Sequence, residues 1–134
     1  MTMRGKIVLL TGATGGIGQA IARRLSHQGA ILILVGRSAP TLNALARELD
    51  LQKNKGFTLV AAVADGTYTS FNYAFPERCA LILGSEGQGI EAELLAQADV
   101  RLAIPIRMGV DSLNVSTAAA MLVHEYVRQQ EARS

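Results

Sequence analysis

Residues 6–38 read KIVLLTGATGGIGQAIARRLSHQGAILILVGRS. An apolar run at 6–10 leads into a turn with glycines at 12, 16 and 18, and a second apolar run fills 30–35. Both runs are continuously apolar rather than alternating, which is how strands buried on both faces read. Between them Ile17, Ile21 and Leu25 recur every four residues, and Gly29 supplies a stop. The stretch therefore predicts strand, helix, parallel strand, with Ile17, Ile21 and Leu25 as the buried stripe.

Working outward, three more apolar runs follow: FTLVAAV (57–63), CALIL (79–83) and RLAIPI (101–106). In SAPTLNALARELDL, Ser38 is placed to cap a second helix, Pro40 suits its first turn, and Leu42, Leu45 and Leu49 form its stripe. GIEAELLAQA gives a short third helix. LNVSTAAAMLVHEYVRQQ gives a long last one, with Leu113, Ala120, Val123 and Val127 near one face. Segments 51–56 and 64–78 carry no regular pattern, the first polar and the second holding Tyr68, Tyr73, Phe71 and Phe75. The expected fold is α/β, a mostly parallel five-stranded sheet with helices on both faces. At 134 residues the chain is expected to make one domain.

Composition narrows the classes. With 49% of residues apolar, a packed core is expected rather than disorder. A net charge of +2 is too small to argue for nucleic acid by itself, although the sequence pI is about 9.0. The one cysteine, Cys79, excludes an internal disulfide, fits a reducing compartment, and reads as a small core residue. No signal peptide is evident, and the apolar runs are far short of the ~20 residues that span a bilayer, so a cytoplasmic protein without membrane contact is expected. No spacing suggests a metal site.

The front stretch resembles the opening βαβ unit of the short-chain dehydrogenases/reductases. Gly12, Gly16 and Gly18 keep that family's Gly-x3-Gly-x-Gly spacing, and Arg37 follows the second strand. The resemblance implies a Rossmann-like turn that takes a dinucleotide pyrophosphate at the helix N-terminus, with Arg37 favouring NADP. It ends near residue 50. The family's Tyr-x3-Lys is absent, since Asn72, Glu77 and Gln130 stand four residues beyond Tyr68, Tyr73 and Tyr126. Without that proton donor, dehydrogenase activity is not expected.

From about residue 57, LILGSEGQGI (81–90) and IPIRMGVDSLNVSTAAAMLVHEY (104–126) are similar to the SpoU branch of the SPOUT RNA methyltransferases. That resemblance implies a trefoil-knotted back half, S-adenosylmethionine as cofactor and RNA as substrate. It also implies a homodimer formed through the last helix, near whose stripe lie Met121, His124 and Tyr126. By the same resemblance Glu86, Ser112 and Asn114 are the polar catalytic residues. Gly84, Gly87, Gly89, Ile104, Ile106, Met108 and Leu113 would surround the cofactor. Taken alone, Ser112 or Asn114 reads as a helix cap. The family's early Asn-x-x-Gly-x3-Arg motif is missing: aligning Gly18 with its glycine puts Ala22 at the arginine position and Arg23 one residue late, a turn of ~100° away.

Two partial signatures thus meet at 51–56, and the expectation is a chimera, recombined in the laboratory or by genetic accident. Residues 1–50 would be dehydrogenase-like and 57–134 methyltransferase-like. Three functions follow in order. The first is an S-adenosylmethionine-binding domain without turnover. The second is a ligand-free scaffold or NADP-binding module. The third is a residual RNA ribose 2′-O-methyltransferase with Arg23 standing in for the lost arginine.

Overall fold

The computed structural model describes residues 2–36, 38–50, 58–77, 79–84, 89–106 and 114–134. Its elements are β1 (Ile7–Thr11), α1 (Gly16–His27), β2 (Ile31–Val35), α2 (Ala39–Asp50) and β3 (Thr58–Ala62). They continue as β4 (Tyr68–Thr69), β5 (Cys79–Ile82), α3 (Ala92–Gln97), β6 (Val100–Ala103) and α4 (Val115–Ala132). Every expected strand and helix is present. The addition is β4, two residues inside the segment read as irregular, too short for any sequence period to register.

Among the described residues the strands form one sheet in the order β1-β2-β5-β3-β6-β4, and every pairing is parallel. The two halves of the chain therefore share a continuous sheet: β5 lies between β2 and β3, with Leu32 opposite Ala80 and Leu59 opposite that same alanine. Alternation along the strands splits the core in two. Leu32, Leu34, Ala80 and Ile82 face α1, α2 and α3 through Ala22, Leu42, Leu45, Leu49 and Leu94. Ile31, Ile33, Cys79, Leu81 and Leu102 face α4 through Ala119, Leu122 and Tyr126. Each fully buried leucine or isoleucine contributes about 1.5–3 kcal/mol relative to exposure, so the two layers together fix the sheet's register.

Local signals act as read at α2: the Thr41 amide donates to Ser38 Oγ at 3.4 Å, and Leu42, Leu45 and Leu49 are buried. Gly29 ends α1 with a paired motif, its own amide donating to Ser26 and the Ala30 amide to Leu25, both at 3.0 Å. The stripe expected on α1 requires correction. Its buried residues are Gly18, Ala22 and Ser26, Leu25 is half-buried, and Ile17 is 80% exposed. Small side chains let this helix lie close on the sheet, and that close approach leaves no room for isoleucines on the inner face. On α4 the buried face is Ala119, Leu122 and Tyr126, one position before the expected Ala120, Val123 and Val127. Leu113 lies outside the described residues.

Candidate functional site

In a parallel sheet all strands end at one edge, and ligands gather there where successive connections diverge. Here β5 and β6 flank β3 on opposite sides, so the segments leaving them rise on either side of one strand. After β5, Gly84 and Gly89 lie close together. Gly89 holds φ +66°, and a Cβ built on Gly84 would lie 2.8 Å from Gly89 Cα. Both positions therefore disfavour a side chain. After β6, Ile104 packs on the α4 core layer, while Pro105 and Ile106 are exposed.

The last helix packs on the sheet through Ala119, Leu122 and Tyr126. Near its C-terminal end Gln129 and Arg133 bind the backbone of Tyr73 and Phe75, just before β5 begins. An 18-residue helix spans about 27 Å, so Asn114 at its other end stands well away from those contacts. Asn114 is the N-cap: its Oδ1 accepts the Ser116 amide at 2.8 Å. Gly84, with Gly89 beside it, and Ile104 and Ile106 follow β5 and β6 at the sheet's carboxyl edge. Glu86, Gly87, Met108, Ser112 and Leu113 lie outside the described residues.

The front glycine turn is explained largely by the chain itself. Gly12 has φ +68°, and a Cβ on Gly18 would be 2.9 Å from the Gly12 carbonyl carbon. Gly16 has nothing within 4 Å, so the fold makes no demand for glycine there. The Thr14 side chain packs over Gly36, and Gln19 Nε2 donates to the Thr14 carbonyl at 3.0 Å. Arg37 lies outside the described residues.

Arg23 is committed to α2. Its guanidinium grips Glu48 of α2 with two bonds, Nε to Oε1 at 2.6 Å and Nη2 to Oε2 at 2.9 Å, and also reaches Gln19 Oε1. That bidentate pair holds the Glu48 carboxyl below its ordinary range. Cys79 is fully buried and burial pushes its thiol up to about 12, which removes it as a nucleophile.

Sequence reasoning missed the structure inside 64–78. Tyr68, Tyr73, Phe75 and Tyr126 form a chain of ring contacts, with centroids 5.5, 5.0 and 6.0 Å apart. Tyr126, placed beforehand near an intersubunit surface, is buried core instead, and its hydroxyl donates to the Glu77 carbonyl at 2.8 Å. Met121 and His124 are exposed on the outer side of α4. The only available signal was the unusual density of aromatics in an otherwise polar loop.

The model of the SpoU rRNA methylase family matches residues 7–124. The chain belongs to this family. An uncharacterized tRNA/rRNA methyltransferase of Mycobacterium tuberculosis is 40% identical over 113 residues, covering 80% of this chain and 37% of that protein. A similar protein of Synechocystis is 35% identical over 109 residues, covering 81% and 39%. This SpoU-family chain therefore spans well under half the length of these curated relatives. A tRNA (cytidine(34)-2′-O)-methyltransferase of Ancylobacter novellus is 36% identical over 78 residues, 58% of this chain and 49% of that one. Among solved structures, one concerning 2′-OH methylation of C/U34 on tRNA superposes with a TM-score of 0.61 at 23% identity, covering 96% of this chain and 99% of its own. The SpoU methyltransferase AviRb of Streptomyces viridochromogenes, solved with AdoMet, gives 0.62 at 19% identity, covering 94% and 50%. At these identities both show the fold.

The family match crosses the expected junction at 51–56 and takes in most of the front half. Likeness to an uncharacterized oxidoreductase of Staphylococcus epidermidis, 48% identical, is confined to 48 residues, 36% of this chain and 21% of that protein. A join of two parents is not what these matches show, and they give NADP no support. Among the described residues, no helix is long and apolar enough to cross a membrane.

Proposed function

We propose that this SpoU-family domain binds S-adenosylmethionine and methylates a ribose 2′-hydroxyl of RNA. The observation that supports the reading is the close Gly84–Gly89 approach after β5, taken with the Ile104–Ile106 segment after β6 and the Asn114-capped start of α4. The parts fit the cofactor's chemistry. The open Cβ position of Gly89 admits close approach, and Ile104 and Ile106 offer apolar surface for an adenine. Gly87, Met108 and Leu113 complete the set by resemblance. When bound, S-adenosylmethionine supplies a methyl group made electrophilic by its sulfonium. Glu86, Ser112 and Asn114 are the polar side chains assigned to orient the ribose and its hydroxyl proton. The domain acts as a homodimer, with exposed Met121 and Val127 on the outer side of α4 as contact residues.

A second reading, binding without turnover, is favoured by one observation. Arg23, which stands one residue beyond the position of the family's activating arginine, is held by Glu48. The two readings separate in one experiment. The chain is incubated with S-adenosyl-[methyl-³H]methionine and unfractionated tRNA or rRNA, and the RNA is digested to nucleosides. Labelled 2′-O-methylnucleosides are the expected result, unchanged by Arg23→Ala. Calorimetric binding of the cofactor with no label in RNA establishes the second reading. Absence of any cofactor binding overturns both.

A further inference from the structure

Resting on that RNA reading, we propose that Phe71, seconded by Tyr68, is a stacking platform for an unpaired base of the substrate RNA. Phe71 is 84% exposed and Tyr68 45% exposed. An isolated exposed apolar side chain is ordinary, but these two stand on a fixed support beside the candidate site. Through β4, Tyr68 pairs with Leu102 and Thr69 with Ala103, and the Ser70 amide donates to the Ala103 carbonyl at 2.9 Å. Ala103 is the last residue of β6, directly before Ile104–Ile106.

The turn that carries Phe71 is closed on itself. Asn72 Oδ1 accepts the Thr69 amide at 2.8 Å, and the Thr69 carbonyl accepts the amides of Asn72 and Tyr73 at 3.1 and 3.0 Å. Tyr68 leans on Tyr73, whose ring continues into the buried aromatic chain. An aromatic ring presented to solvent from a rigid turn pays little ordering entropy on binding, and it offers a face that any base can cover. Sequence-selective RNA proteins take single-stranded bases out of their stack onto such rings. Exposed Arg101 on β6, the strand that β4 pairs with, adds a charge suited to phosphate.

The test uses the full chain with a stem-loop RNA carrying 2-aminopurine in its loop, whose fluorescence is quenched by stacking. Phe71→Ala and Phe71→Leu are expected to weaken binding on the order of 10- to 100-fold and relieve the quenching. Phe71→Tyr keeps both, and S-adenosylmethionine affinity is the same in all. Wild-type affinity in Phe71→Ala, or in the apolar Phe71→Leu, overturns the inference while the methyltransferase reading stands. A lower mass by light scattering for Phe71→Ala also overturns it, making the ring a contact between copies. A wild-type chain that binds neither cofactor nor RNA overturns the functional reading and this inference with it.

Discussion

The Tyr126 hydroxyl donates to the Glu77 carbonyl at 2.8 Å, fastening the middle of α4 to the residues that lead into β5. One side chain thus joins the last helix to the strand at the centre of the sheet. Its ring meets Phe75 edge-on at 6.0 Å and is nearly fully buried. Tyr126→Phe leaves that carbonyl without its donor and is expected to lower stability by about 1–2 kcal/mol. Tyr126→Ala also empties the ring's volume and is expected to cost about 3–5 kcal/mol. Urea midpoints at fixed m-value measure both.

Burial raises Cys79, Tyr73 and Tyr126 to about 12 each, from ordinary values of 9.0 for the thiol and 10.0 for the phenols. A raised acid favours its neutral form in the fold. The stability it contributes is complete below the unfolded value and is lost as pH climbs toward the folded one. The melting temperature is therefore expected to hold to about pH 9 and fall steadily from there toward 12. A melting series in matched salt reads this directly. In the native protein Cys79 is expected to resist a thiol reagent at pH 8 and to react fully in denaturant.

The front turn separates two glycines that look alike in sequence. Gly18→Ala forces a methyl group against the Gly12 carbonyl and is expected to destabilise by about 1–3 kcal/mol despite alanine's better helix propensity. Gly16→Ala meets nothing within 4 Å and is expected to be neutral or to stabilise by up to about 1 kcal/mol. Thermal unfolding of the two variants side by side gives the contrast.

Asn114 carries two roles that can be pulled apart. Asn114→Ala removes the cap on the Ser116 amide and is expected to cost about 1 kcal/mol. Asn114→Asp keeps an acceptor oxygen at the helix N-terminus, so stability is retained. If the residue also orients the ribose, methyl transfer to RNA falls in Asn114→Asp with cofactor affinity unchanged.

Much of this architecture was legible because buried parallel strands announce themselves as unbroken apolar runs. Ser38, Pro40 and Gly29 marked helix ends through chemistry that acts locally. What escaped notice depended on tertiary contact. The inner face of α1 is made of Gly18, Ala22 and Ser26, and a hydrophobic stripe cannot reveal a helix that packs by smallness. The register of α4 was displaced by one residue because Tyr126 counted as amphipathic surface until Glu77 supplied its partner. At the site, Gly84 and Gly89 were singled out from sequence, but their mutual contact follows only from the path of the chain. The engagement of Arg23 by Glu48, 25 positions away, has no signature in local pattern.

The interleaved strand order has a consequence for how the molecule is made. During synthesis β2 and β3 emerge before the strand that separates them, and each carries an unsatisfied row of amides and carbonyls where β5 will go. A nascent chain ending at Ala62 has a slot instead of a sheet centre. Helix α4, which emerges after β5, then covers the layer that β5 completes. Folding of this sheet is thereby biased to wait for β5 and α4, and premature release or cleavage before Cys79 leaves two open edges ready to pair with other molecules.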